Sequence, residues 1–161
     1  STEEKVNLCK EHGADEGFIY PTGKLDRDQQ KELSAKIKEL TGGMGANVVY
    51  DPVGDSYSEP CIRATAWDGR YLVIGFAAGE IPKIPINLAL LKGIKIVGVF
   101  WGAWVGMNPK ENKQNFEELF KLHSEGKINP EVSDSFSLDD GAKAIAHLKD
   151  RKAKGKVIIK I

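Results

Sequence analysis

The chain has 161 residues, 41% of them apolar and 29% charged, and its 23 basic and 23 acidic side chains give zero net charge. This length fits one domain and this apolar fraction can build a core, which excludes a disordered chain. Zero net charge disfavours a nucleic-acid partner, because such binding depends on neutralising phosphates. No apolar stretch reaches the ~20 residues that span a bilayer, so we expect no membrane partner.

The two cysteines indicate neither a metal site nor a disulfide framework. Cys9 and Cys61 lie far apart in the chain and form no CxxC pair, whereas a structural zinc site takes about four closely spaced ligands. The charged start of the chain, STEEK, lacks the apolar segment of a signal peptide. We therefore expect reduced thiols and a cytoplasmic location, or a mitochondrial one if a transit peptide lies upstream.

Helical and strand-like patterns alternate along the chain. Asp26 is a suitable N-cap, Gly13 a helix stop, and Pro109 a first helical residue. In chain order, the pattern predicts a helix over 2–11, a strand over 18–20, a helix over 26–40, a strand from 47 to 50, a helix over 57–66, a strand over 70–76, a helix over 87–92, a strand over 94–100, a helix over 109–124, a strand over 132–138, a helix over 142–151 and a strand over 156–161.

The character of the predicted strands changes near the end of the chain. Up to residue 100 they are almost continuously apolar, which is typical of a parallel sheet covered by helices on both faces. After Pro130, the strands over 132–138 and 156–161 alternate apolar and polar residues around one helix. We predict an α/β fold, followed by a separate strand–helix–strand segment.

Several segments together carry a family resemblance. The segments are STEEK at 1–5, HGAD at 12–15, DPVGDSY at 51–57, GRYLVIGFAAGEIPKIPINLALLKGIKIVGVFWG at 69–102, and the run 126–161. They resemble the quinone oxidoreductase (zeta-crystallin-like) branch of the medium-chain dehydrogenase/reductase superfamily. The resemblance implies a partial Rossmann-type cofactor domain over 1–127 and, over 128–161, a return segment of the catalytic domain. It also implies NADPH-dependent reduction of a quinone or an activated alkene, without catalytic zinc.

The phosphate-binding turn of such a domain is missing from this sequence. No GxGxxG motif follows a predicted strand; the glycines of 42–45 follow a helix and precede a strand, the reverse of a pyrophosphate-binding turn. We interpret them as a helix stop. The resemblance therefore implies that this chain is the C-terminal portion of a longer one, and we expect the portion alone to be inactive.

By resemblance, the start of the chain lies beside the adenosine end of NADPH. Ser1 and Thr2 leave room for the 2′-phosphate and Lys5 neutralises it, while Tyr20 lies near the same phosphate and Val53 near the adenosine. The residues alone allow simpler interpretations. These are an N-cap followed by a solvated helix lysine, and a tyrosine used for packing.

The nicotinamide end is expected to lie beside later segments of the chain. The residues there also have simpler explanations. Loop conformation alone can explain the glycines, and packing in the core or at an interface can explain the aromatic residues. An arginine in the last turn of a helix interacts favourably with the helix dipole. By resemblance, the candidates are Gly75, Phe76 and Ala77 after one strand, and Phe100, Trp101 and Gly102 after the next. The resemblance also brings Arg151, near the C-terminus, back to the cofactor.

No catalytic side chain is predicted. His12, His123 and His147 fall in or directly after three separate predicted helices, without nearby acidic or cysteine partners at ligand spacing. This agrees with hydride transfer, in which the cofactor carries the chemistry. Two rival functions stay open: an enoyl reductase on the same scaffold, and a non-catalytic interaction module.

The strand over 95–100 is expected to form an outer edge of the sheet. Its apolar residues and single Lys95 protect a free edge poorly. In the family such strands pair across a two-fold axis. We therefore expect a homodimer joined along residues 95–100, which a proline at Val97 should dissociate.

Overall fold

The computed structural model describes residues 2–161. Ser1, one of the predicted cofactor contacts, lies outside the described residues. The chain divides into two compact units, the first ending at Trp101 and the second beginning at Gly102. The predicted functional division between residues 127 and 128 stays a prediction.

The first unit contains a sheet of three strands together with four helices. Its elements are α1 (Glu3–Glu11), α2 (Arg27–Leu40), β1 (Ala46–Asp51), a 3-10 turn (Asp55–Tyr57), α3 (Ser58–Arg63), β2 (Thr65–Val73), α4 (Asn87–Lys92) and β3 (Lys95–Gly98).

Local capping determines where the first two helices begin. Asp26 accepts hydrogen bonds from the N–H groups of Asp28 and Gln29, both at 2.9 Å. The Gln29 side chain accepts in return from the Asp26 N–H at 3.0 Å, which completes a capping box. Thr2 caps α1 by accepting from the Lys5 N–H at 3.3 Å. Both helix starts agree with the sequence prediction.

The three strands form a parallel sheet in the order β1-β2-β3. Val49 pairs with Tyr71, and Tyr71 pairs with Ile96. The predicted α/β fold with a parallel sheet is confirmed, and β3 is an outer strand of this sheet, as expected.

The register decides which amides of β3 face the open edge. The Val99 N–H donates to the Val73 oxygen at 3.0 Å. Alternate residues of a strand face the same neighbour, so the Val97 N–H also points toward β2. The amides of Ile96 and Gly98 point away from it. A proline at Val97 would therefore break the sheet itself, and Ile96 is the better position for testing an edge pairing.

Several predicted boundaries are wrong because tertiary pairing overrides the local pattern. Residues 18–20 form no strand; in the described part of the chain, β1 pairs with β2 alone, so this segment has no ladder to join. The helix predicted to reach residue 66 ends at Arg63, because Thr65 pairs with Ala46 and opens β2 early. The segment after β3 is also helical, since α5 (Trp101–Met107) begins there.

A contact with another strand also determines where β2 ends. The N–H groups of Ile74 and Gly75 both turn toward the Asp51 carbonyl, at 3.0 and 3.3 Å. The strand therefore stops at Val73 rather than continuing to residue 76. These hydrogen bonds connect the residues that follow β2 to the last residue of β1.

Two apolar clusters stabilise the first unit. One contains Tyr57 and packs the 3-10 turn against α2. The other contains Ile62, which is 0% exposed, and packs α3 and α4 against the sheet. The clusters are Leu25, Leu33 and Tyr57, and Ile62, Tyr71, Leu88 and Ile94.

The second unit contains the predicted strand–helix–strand segment. The two strands run parallel, with Ser135 opposite Ile158, so their connection through a helix agrees with the sequence pattern. No helix in residues 2–161 is both long and apolar enough to cross a membrane. The further elements are α6 (Pro109–Ser124), β4 (Val132–Ser137), a 3-10 turn (Leu138–Asp140), α7 (Gly141–Lys149) and β5 (Lys156–Lys160).

Candidate cofactor site

The carboxyl ends of the three parallel strands lie at one edge of the sheet. In open α/β sheets, ligands bind in the crevice outside these ends. The topology therefore brings six of the predicted cofactor contacts to the segments that follow the strands. They are Val53 after β1, Gly75, Phe76 and Ala77 after β2, and Phe100 and Trp101 after β3.

The segments after β1 and β2 are joined by backbone hydrogen bonds beyond the ends of the strands. The Ala77 N–H donates to the Pro52 oxygen at 3.0 Å, and the Ala78 N–H donates to the Val53 oxygen at 2.9 Å. The two segments therefore form one surface rather than two independent loops.

Gly54 allows this close approach. Its φ is 74° and its ψ is −151°, a combination open in practice to glycine alone. A Cβ on Gly54 would lie 2.8 Å from Cδ1 and 3.1 Å from Cα of Phe76. The backbone of the β1 segment thus lies directly against Phe76, whose side chain is still 39% exposed.

A buried carboxylate, which sequence reasoning missed, organises the β1 segment. Asp51 is 6% exposed, and its Oδ1 accepts from the N–H groups of Val53 at 2.8 Å and Gly54 at 3.0 Å. Its Oδ2 accepts from the hydroxyls of Ser58, at 2.9 Å, and Tyr71. The signal was available, because an aspartate two or three residues before such a turn commonly accepts from its backbone.

This carboxylate also influences its titratable neighbours. Burial, followed by the hydrogen bond to Asp51, raises the pKa of Tyr71. Burial, with a smaller contribution from the negative charge of Asp51, raises the pKa of the Cys61 thiol to about 12. Both groups therefore stay protonated at neutral pH, and Cys61 is a poor nucleophile.

Tyr20 borders the same region and is packed by other rings. Its ring centroid lies 5.6 Å from that of Tyr57 and 5.9 Å from that of Phe18. The Tyr57 hydroxyl donates to the carbonyls of Pro21, at 2.9 Å, and Gly23, at 2.7 Å. Burial raises the pKa of Tyr20. The structure thus shows the packing role of Tyr20, and a role at a phosphate stays a prediction.

Thr2 and Lys5 lie in the first turn of α1. The Thr2 hydroxyl acts as the N-cap, as the simpler interpretation expected. α1 lies close to the following loop, since a Cβ on Gly17 would be 2.9 Å from Cγ1 of Val6. Binding of a 2′-phosphate by Thr2 and Lys5 stays a prediction.

The predicted aromatic contacts after β3 are open to solvent. Phe100 is 80% exposed and Trp101 is 58% exposed, so the alternative of ordinary core packing is wrong for both side chains within this chain. Exposed rings of this kind offer a flat apolar surface to a ligand or a partner. Trp101 opens α5, and the predicted contact Gly102 follows it at the start of the second unit.

Arg151, in the second unit, has an unusual backbone conformation. α7 ends at Lys149, so Arg151 lies beyond the last turn in which the sequence analysis had placed it. Its φ is +57°, and its N–H donates to the Leu148 oxygen at 3.0 Å while that of Lys152 donates to the His147 oxygen at 3.2 Å. This pattern is a Schellman motif, whose left-handed position is usually occupied by glycine.

Residues 1–124 match the protein family described as zinc-binding dehydrogenase. The chain belongs to the zinc-binding dehydrogenase family. The predicted likeness to quinone oxidoreductases is also confirmed. The quinone oxidoreductase-like protein 2 homolog of Nematostella vectensis is 36% identical over 160 residues, which are 99% of this chain and 42% of that protein.

Two further similarities concern the enzyme class and the fold. The trans-enoyl reductase pgmF of Aspergillus terreus is 28% identical over 97% of the chain and 42% of its own length. The structure of mycobacterial Rv1454c complexed with NADPH is 26% identical, has a TM-score of 0.84, and is matched over 100% of this chain and 48% of that one. The chain thus spans less than half the length of these relatives.

The name of the family raises the question of a metal. Among residues 2–161, no group of three or more histidine, cysteine, aspartate or glutamate side chains is placed to hold a metal ion. One sequence expectation is wrong here, because His147 does have an acidic neighbour. Its Nε2 lies 3.2 Å from Oδ2 of Asp134, since α7 packs against β4 and brings together residues that are distant in sequence.

Proposed function

We propose that the chain is the cofactor-binding portion of an NADPH-dependent oxidoreductase that passes a hydride to a quinone or an activated alkene. The observation that carries this proposal is the convergence of three strand ends, with small residues and exposed aromatic rings, at one edge of a parallel sheet. Nucleotide cofactors bind at such edges. The NADPH complex of the mycobacterial neighbour supports the choice of cofactor.

The residues at this edge fit a flat, partly apolar cofactor. Gly75 and Ala77 bring no bulk to the segment after β2, so a ligand can approach its backbone closely. Phe76 lies between them and is partly exposed, which offers a ring face. When bound, NADPH supplies the hydride, and the residues of the chain orient the nicotinamide ring.

The two ends of the cofactor are assigned to different residues. Lys5 would pair with the 2′-phosphate, because an ammonium group next to a phosphate forms a strong charge-assisted hydrogen bond. The aromatic residues after β3 would line a pocket for a planar substrate ring. The proposed contacts are Ser1, Thr2, Lys5, Tyr20 and Val53 at the adenosine end, and Gly75, Phe76, Ala77, Phe100, Trp101 and Gly102 at the nicotinamide end, with Arg151 as a further cofactor contact.

An enoyl reductase is the second candidate function. The similarity to the trans-enoyl reductase of Aspergillus terreus favours it. Both reactions deliver a hydride to an electrophilic carbon, so the cofactor side of the two sites would be the same. The two functions differ on the substrate side of the site. Measuring whether a longer protein that includes this chain prefers quinones or enoyl substrates would distinguish them.

The remaining parts of the proposal concern assembly, metal and compartment. The apolar side chains of Ile96, Val97 and Val99 are 37–38% exposed along the outer strand, which supports a homodimer paired through residues 95–100. Zinc-independent chemistry rests on the sequence resemblance. The free thiols of Cys9 and Cys61 support a reducing compartment, the cytoplasm or the mitochondrion.

Titration of the 161-residue chain with NADPH, followed by quenching of its tryptophan fluorescence, tests the cofactor assignment. We expect saturable quenching, which Ala77→Leu should weaken by about tenfold or more, because a leucine side chain would occupy the exposed strand-end segment. Ser124→Leu, at the exposed end of α6, is the matched control and should bind as the unchanged chain does. An absence of saturable binding would favour the interaction module instead.

A second assay tests whether the chain is active by itself. We propose that it gives no steady NADPH-dependent reduction of a quinone, because its sequence contains no GxGxxG turn and it spans less than half the length of its relatives. Steady turnover by the purified chain would contradict this.

A further inference from the structure

The side chain of Asp51 joins three parts of the first unit, which are the segment after β1, the start of α3, and β2. It lies at the last position of β1 and is almost completely buried. One carboxylate oxygen accepts from two successive backbone amides of the β1 segment, those of Val53 and Gly54. The other accepts from Ser58, the first residue of α3, and from Tyr71 in β2.

Four donors are enough to satisfy a buried carboxylate. Hydrogen bonds to an ionised acceptor are about twice as strong as neutral ones, and burial strengthens them further. Ser58 is 1% exposed and Tyr71 is 3% exposed, so water cannot easily replace these partners. The carboxylate is therefore held on one side by α3 and β2, and it holds the β1 segment on its other side.

The conformation held by Asp51 is the one that shapes the candidate cofactor site. With the Gly54 amide bound to Asp51, the Gly54 backbone adopts its glycine-only conformation and lies against Phe76. The Val53 carbonyl is then placed to accept from the Ala78 N–H. Loss of the carboxylate would release two amides at the point where the segments after β1 and β2 meet.

We propose that Asp51 is a positioning residue, whose buried carboxylate holds the Val53 and Gly54 amides so that the ends of β1 and β2 form one cofactor-binding surface. This inference rests on the proposed function. Asp51 is buried, and it acts through the backbone of the two residues that follow Pro52. A binding surface loses affinity when its supporting groups no longer hold it in place.

Hydrogen exchange and NADPH titration of the same variants test the proposal. In the ligand-free chain, Asp51→Ala should raise the exchange rates of the Val53 and Gly54 amides by about tenfold or more, because both lose their acceptor. The same variant should weaken NADPH binding by about tenfold or more. Asp51→Asn retains an acceptor oxygen for both amides and should restore exchange and affinity to within a few-fold of the unchanged chain.

Two control variants separate positioning from general stability. Ile62→Val lowers the melting temperature through the core and should change neither the two exchange rates nor NADPH affinity. Tyr71→Phe removes a donor from the other carboxylate oxygen and should leave the two amides protected. If Asp51→Ala does not fold, Asp51→Leu takes its place, because its side chain is similar in shape and offers neither amide an acceptor.

The outcomes separate this proposal from the proposed function. Slow exchange of both amides in Asp51→Ala would overturn the positioning role, as would fast exchange with unchanged NADPH affinity. Failure of the unchanged chain to bind NADPH would overturn both proposals. That failure is recognised independently, because exchange is measured without ligand. Fast exchange and weak binding in Asp51→Ala, both rescued by Asp51→Asn, would support the proposal.

Discussion

Replacing Gly54 with alanine should destabilise the first unit more than any ordinary loop substitution. The backbone of Gly54, at φ 74° and ψ −151°, lies in a region that costs a residue with a side chain about 1–3 kcal/mol. The new Cβ would also lie 2.8 Å from Cδ1 and 3.1 Å from Cα of Phe76. The ring can rotate away, but the Cα can move only with the backbone, which adds about 1–3 kcal/mol of overpacking.

The two contributions together predict a loss of about 2–6 kcal/mol in the free energy of unfolding. This is a large share of the ~5–15 kcal/mol that stabilises a typical domain. Gly98→Ala is the matched control, because no atom lies within 4 Å of its Cβ position and its φ is not left-handed. That substitution should be neutral or stabilise the chain by up to about 1 kcal/mol.

Urea unfolding followed by far-ultraviolet circular dichroism measures both variants against the unchanged chain. The midpoint should fall clearly for Gly54→Ala and stay or rise for Gly98→Ala, with similar slopes. If the two variants differed by less than about 1 kcal/mol, then Gly54 would not have the described conformation against Phe76. The segments after β1 and β2 would then not form a single surface.

Three further predictions follow from the structure. Lys5→Ala should weaken NADPH binding by about 1–2 kcal/mol and leave NADH binding nearly unchanged, measured by titration; equal losses would exclude a phosphate contact. Ile96→Pro should dissociate the proposed dimer to a folded monomer in light scattering, whereas Val97→Pro should unfold the sheet; an unchanged mass for Ile96→Pro would refute pairing along this edge. Because burial raises the pKa of Cys61 to about 12, its thiolate fraction at pH 8 should be roughly a thousandfold below that of an ordinary thiol. Thiol labelling should therefore modify the exposed Cys9 first. The free energy of unfolding should fall above about pH 8.5, because the Cys61 thiol then ionises in the unfolded chain but not in the folded one. Cys61→Val should remove this pH dependence.

The sequence by itself determined the features that depend on residues a few positions apart. The capping box at Asp26, the glycine stop at Gly13 and the start of α6 at Pro109 all agree with the structure. Such features follow from backbone conformation and from hydrogen bonds within one turn, so the local residue types decide them. The apolar runs that become β1, β2 and β3 likewise indicated a parallel sheet, because strands of such sheets are typically rich in apolar residues.

The family resemblance predicted which residues belong to the candidate site, which the local rules do not. It brought Val53, Gly75 and Phe76 into one candidate site before their relative positions were known. The parallel order of the strands then placed all three at the same sheet edge. Their contact with a cofactor is still a prediction, because it depends on a ligand and not on the chain alone.

Only the tertiary structure decided the interactions between residues that are distant in sequence. Residues 18–20 have a strand-like pattern but no ladder to join, and α3 ends early because Thr65 pairs with Ala46. The hydroxyl of Tyr71 donates to Asp51, which lies 20 positions earlier in the chain. The approach of His147 to Asp134 depends on α7 packing against β4. In each case the free energy of pairing or burial comes from a partner that the local pattern does not contain, so it can override the local preference.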